Sequence, residues 1–123
     1  MKKLLLVITP LLFLLAACTR QDVGPRPPID ESYWLTQERG IVTYSNFDCD
    51  FFIIETYDGF SVVRSWGGAP PLRGSVIYGN LSQYGVRTMY NRTEGYLMQA
   101  DIREYWLTYW DAIDQVDWNC SRP

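Results

Sequence analysis

The chain has no histidine, and its two lysines, Lys2 and Lys3, both stand in the first three residues. Without an imidazole there is no histidine-dependent serine or cysteine triad. Beyond residue 3 there is no amine for a serine–lysine pair either. Cysteine is sparse, with Cys18, Cys49 and Cys120 only. Structural and catalytic zinc sites draw on histidine and cysteine, so this set is too small, and neither a metal nor a cofactor is expected. The bases beyond residue 3 are nine arginines, set against fourteen acids. An acidic domain is a poor partner for phosphate backbones, which excludes nucleic acid as the ligand class.

What is present begins with a charged start, Met1-Lys2-Lys3, followed by an apolar run from Leu4 to Leu15 interrupted by Pro10. The run is too short to span a bilayer comfortably, and small residues follow it, which is the pattern of a secretory signal. Its apolar residues leave no polar side, which argues against a surface helix of the folded domain. The signal is expected to cover residues 1–17.

The residues Leu15-Ala16-Ala17-Cys18 resemble the processing site of bacterial lipoprotein precursors. The resemblance implies cleavage after Ala17, a diacylglycerol on the Cys18 thiol and acylation of the new amino terminus. Several acyl chains hold a protein on a membrane stably, at about 0.8 kcal/mol per buried CH₂, where one holds it only marginally. Thr19, rather than an aspartate, follows the cysteine, and the resemblance therefore implies the outer rather than the inner membrane. Residues 18–30, with Pro25, Pro27 and Pro28, read as a lipidated, extended tether.

Residues 31–123 are enough for one domain and not two. With Cys18 taken by lipid, Cys49 and Cys120 are the remaining thiols. In an oxidising compartment they are expected to form a disulfide, two buried free thiols being the alternative. Closing a loop of about 70 residues would stabilise the fold by about 4 kcal/mol on the chain-entropy model.

The fold class reads as mainly β. A first helical turn is placed near Glu31–Leu35, and strands at Gly40–Tyr44, Phe51–Tyr57, Phe60–Trp66, Ser75–Leu81, Val86–Asn91 and Tyr96–Arg103. Asp58-Gly59 fits a two-residue hairpin turn. That register sets Tyr57 opposite Phe60 and makes Glu55 and Arg64 diagonal neighbours, with Phe52, Ile54 and Val63 on a core face and the other face partly wet. Gly79 suggests a bulge or corner. Tyr96, Met98, Ala100 and Ile102 alternate inward. Thr108 and Asp111 resemble a capping box ahead of a helix to about Asn119. The economical architecture is a small antiparallel barrel-like meander of about six strands, OB-like or a similar compact barrel, with a short C-terminal helix. A sheet covered on one face by that helix is the second choice.

The acids offer Asp48 and Asp50 around Cys49, and Asp111, Asp114 and Asp117 along the helix. A helical row at this spacing reads as a solvated face. Asp48 and Asp50 read as loop residues bonding nearby backbone, with weak calcium binding as the alternative. Asn91-Arg92-Thr93 matches a glycosylation acceptor pattern. Five tryptophans and nine tyrosines exceed what a small core takes, so some are expected at the surface as contact area. The candidate binding residues are Trp66, Tyr105 and Tyr109, while Trp106 and Trp110 are expected to plug the barrel end under the helix.

The function expected is non-enzymatic, a lipid-anchored envelope module binding an envelope protein or glycan. The alternatives are a carboxylate-based hydrolase of cell-wall glycan and an inhibitor of a hydrolase. Cys18→Ser should abolish acylation, so mass spectrometry of the processed protein should find the acyl mass on the parent chain and none on the variant.

Overall fold

The computed structural model describes residues 28–121; the expected signal, the Cys18 processing site and the tether up to residue 27 lie outside them. A short helix α1 (Glu31–Trp34) is followed by strands β1 (Glu38–Asn46), β2 (Phe51–Thr56), β3 (Gly59–Ser65), β4 (Val76–Gly79), β5 (Gly85–Asn91) and β6 (Tyr96–Leu107). Helix α2 (Tyr109–Cys120) ends the fold. The six strands close into an antiparallel barrel in the order β1-β2-β3-β6-β5-β4. The mainly β class and the terminal helix are thus as the sequence indicates, with six strands rather than the five of an OB barrel. Hairpins link consecutive strands within each half, but the halves join through β3 with β6 and β1 with β4. The connection 66–75, rich in glycine and proline, crosses between halves, its ends bonded to β6 through Trp66 and to β1 through Gly74 and Ser75.

Alternation along the strands sends Val42, Phe52, Ile54, Val63, Ile77, Met89, Ala100 and Ile102 into the barrel, where all are buried. The opposite face is partly wet, as the sequence indicates, with Glu55, Tyr57, Arg64 and Trp66 exposed, but its other apolar residues are not. Phe51, Ile53 and Val62 form a second core outside the barrel, covered by Ala112 and Val116 of α2. A helix lying on the sheet turns a strand's outward row into interior, so the first four residues of β2, Phe51 to Ile54, are apolar and buried on both faces. The helix starts where expected, with Thr108 accepting a hydrogen bond from the Asp111 N–H at 3.2 Å. It ends at Cys120, which is disulfide-bonded to Cys49 across a Cα separation of 5.5 Å.

The β2–β3 hairpin closes two residues out of the expected register. Thr56 faces Gly59, Glu55 faces Phe60 and Phe51 faces Arg64, so Glu55 and Arg64 are not diagonal neighbours. Tyr57 and Asp58 occupy the turn, and Gly59 is already a strand residue, with φ of 141°. A slip of two residues preserves which side chains share a face, so the core assignment survives it.

Gly79 is the last residue of β4 rather than a bulge; the register breaks fall instead between Val42 and Tyr44 in β1 and along the β3–β6 pairing. One end of the barrel is plugged by Leu81, which is fully buried. A side chain at Gly40 would collide with Leu81 Cδ1 at 2.9 Å and with Ile54. Ser61 donates to the Leu81 carbonyl at 2.7 Å, and Glu38 Oε1 accepts the Leu81 N–H at 3.1 Å. Leu81→Ala should therefore open a cavity and cost about 2–5 kcal/mol in denaturant unfolding, whereas Tyr57→Ala, at a 99 % exposed position, should leave stability unchanged.

Candidate functional site

Strand polarity gathers the β2–β3 turn, the loop 80–84, the end of β6 and the start of α2 at the end closed by Leu81. Because Leu81 fills that end from within, Trp106 and Trp110 do not plug it. They are 62 % and 73 % exposed, which corrects the expectation drawn from their position beside the helix.

Trp106 is placed by an irregularity in β6. The β3–β6 register shifts between Phe60 and Val63, so that Ile102 lies in the inner core, Tyr105 packs against that same core and Leu107 packs against the outer one. Simple alternation would have sent Trp106 inward with Ala100 and Ile102. Its backbone instead turns to φ of 58°, a left-handed conformation that is an outlier for a bulky residue and costs about 1–2 kcal/mol. Opposite it stands Gly59: a Cβ there would sit 3.0 Å from the Trp106 Cα and 2.9 Å from the Leu107 carbonyl oxygen. The glycine read as a turn residue is needed for this close passage of backbone.

Two ring clusters flank the exposed indoles. Tyr105 contacts Tyr84 at 4.8 Å between centroids and meets Trp106 edge-on at 5.3 Å. Phe60 meets Tyr109 edge-on at 5.4 Å, and Tyr109 meets Trp110 at 5.2 Å. Such edge-to-face pairs orient the rings and add about 0.5–1.5 kcal/mol each. The Tyr84 hydroxyl donates to Glu104 Oε2 at 3.1 Å. That bond, with the carboxylate charge, raises the Tyr84 phenol above its ordinary value. A raised folded-state value means that the bond holds at neutral pH and is lost as the phenol ionises on the alkaline side.

Of the three candidates, Tyr105 and Tyr109 come to this rim, as half-covered supports for the tryptophans beside them. Trp66 is 53 % exposed but lies at the opposite end, in a groove with Tyr96, Leu97 and Pro70. Sequence reasoning missed Trp106, Trp110 and Tyr84 as the outward members. The signal available for Trp106 and Trp110 was their place with Tyr105 and Tyr109 in the densest aromatic cluster of the sequence.

Of the acids singled out by spacing, Asp111 stands in the first turn of α2 at this rim, while Asp48 and Asp50 lie away from it beside the disulfide. Asp111, Asp114 and Asp117 are exposed on α2. Asp48 and Asp50 line a concavity of about 500 Å³ beside the disulfide with Arg64 and Arg103. Here Asn46, not either aspartate, bonds the loop backbone, accepting from the Asp48 and Cys49 N–H groups. Among the described residues no group of three or more metal-ligating side chains exists, and no helix is long and apolar enough to cross a membrane. Asn91 is fully buried and accepts the Glu94 N–H, so the Asn91-Arg92-Thr93 triplet is a turn element. No family model, curated protein or solved structure shows significant similarity to the chain.

Gly59→Ala should destabilise the domain by about 1–3 kcal/mol, since a side chain is forced into a glycine conformation against backbone. Denaturant unfolding measures the loss, and a shift in tryptophan emission should report the displaced Trp106.

Proposed function

We propose that this chain is a lipid-anchored, non-enzymatic binding module of the bacterial cell envelope. It is held through Cys18, preferentially on the outer membrane, and engages another envelope component through the aromatic rim of its barrel. The observation that carries the reading is the strained exposure of Trp106. A backbone conformation costing about 1–2 kcal/mol persists only when the surroundings over-determine it, and such outliers cluster at functional sites. The result here is an indole on the outside, beside a second exposed indole, Trp110.

Rigid aromatic rings supply large contact area with little rotamer entropy to lose, which is why tryptophan and tyrosine dominate binding hot spots. The residue types give the same direction. Beyond residue 3 there is no lysine, there is no histidine, and Cys49 and Cys120 are bridged, which leaves the chain short of nucleophiles and bases.

Trp106→Gly separates presentation from stability. Relief of the left-handed strain should offset the lost ring contact with Tyr105 and leave stability within about 1 kcal/mol of the parent, while loss of the indole should abolish in-cell crosslinking of the envelope partner. Trp110→Ala should weaken the crosslink without lowering the melting temperature. Undiminished crosslinking in both variants would remove the rim from the interface.

A further inference from the structure

Resting on the reading of the rim as a binding surface, we infer that its partner is a protein segment that presents arginine or lysine side chains, rather than a neutral glycan. The rim's exposed aromatics are each accompanied by a carboxylate. Tyr57 adjoins Asp58 in the β2–β3 turn. Trp106 stands two residues from Glu104, and Trp110 adjoins Asp111 and lies one helical turn from Asp114. Residues four apart on a helix share a face, so Asp114 and Trp110 lie on one side of α2.

Two arginines stand at this end, Arg39 beside Glu55 and Tyr57 and Arg87, fewer than the four carboxylates of Asp58, Glu104, Asp111 and Asp114. Arg87 donates to Gln83 Oε1 and to the Tyr84 carbonyl, both at 3.1 Å, so its guanidinium is bound into the loop 80–84. The ion pairs of the described residues, Arg92 with Glu31 and Arg103 with Asp101, involve neither Asp58, Glu104, Asp111 nor Asp114. Glu104 accepts the Tyr84 phenol and pairs with no arginine.

An indole face attracts a cation through its quadrupole, and a neighbouring carboxylate adds Coulombic attraction to the same guest. A guanidinium suits both, since it stacks on the ring while its N–H groups reach the carboxylate. A neutral sugar would use the ring but would leave the carboxylate charges uncompensated. Long-range attraction of a basic segment to this acidic end would also speed encounter, at a rate that falls with salt.

The test uses the full-length chain in detergent, titrated by tryptophan fluorescence with a short oligo-arginine peptide, with its uncharged citrulline counterpart and with an N-acetylglucosamine tetramer. The oligo-arginine peptide should bind, the other two should not, and added salt should weaken the binding. Trp106→Ala and Trp110→Ala should each weaken it about two- to fivefold. Asp58→Asn and Asp111→Asn should each do so up to about fivefold, with unchanged melting temperatures. Equal binding of the citrulline peptide, binding of the sugar alone, or arginine binding indifferent to both tryptophan variants would overturn the inference. Should in-cell crosslinking still require Trp106 under any of those results, the rim would stand as an interface and only its cationic guest would fall.

Discussion

The seating of Leu81 against Gly40 is the constraint on which the rest of the fold turns. A six-stranded barrel has two open ends, and the end that holds the β2–β3 turn is closed by one aliphatic side chain reaching in from the loop 80–84. It fits because Gly40 contributes no side chain on the inner face of β1. The loop cannot drift out, since Ser61 holds its carbonyl and Glu38 takes both the Leu81 N–H and, at 2.8 Å, the Ser82 hydroxyl. Three elements that are distant in sequence thereby meet at one point inside the barrel mouth. With the mouth sealed from within, the aromatics around it are not needed as a stopper and remain outside.

The break in the β3–β6 ladder then decides which aromatics face out. A ladder in perfect alternation would put Trp106 in the barrel and Leu107 in water. The observed one places Tyr105 against the inner core, Trp106 in solvent and Leu107 against the outer core. Leu107 leads directly into Thr108, the cap of α2, so the irregularity that turns Trp106 outward also sets the point from which the helix lies down on β2 and β3. At its far end the Cys49–Cys120 disulfide fastens the helix to the turn between β1 and β2. The outer core is thus held by a register break at one end and a covalent bond at the other.

Much of this architecture was legible in the sequence where local chemistry decides it. The strand count, the Thr108 cap, the pairing of the last two cysteines and the inward row Met98, Ala100 and Ile102 follow from periodicity and from residue types with one dominant use, whereas Tyr96, expected in that row, is exposed. The parts that were not legible depend on long-range contacts. Asp58-Gly59 carries the local signature of a tight turn, yet Gly59 serves a backbone approach from a strand nearly fifty positions later. Gly40 looks like any strand-start glycine, and its role exists only because Leu81 arrives from elsewhere. Phe51, Ile53 and Val62 look like one face of a hairpin open to water until α2 covers them. In the candidate site, the tyrosines picked from density alone, Tyr105 and Tyr109, sit beside the outward groups and brace them.

Strain at Trp106, a sealed barrel mouth and an acidic surround make one account, in which stability is spent locally so that an indole is presented outside. Nuclear magnetic resonance of the folded protein tests that account most directly, through the backbone chemical shifts of Trp106 and the response of its indole N–H to a paramagnetic solvent probe. The account predicts left-handed shifts at residue 106 and strong broadening of that indole signal. Extended-strand shifts with an indole shielded from the probe would contradict it.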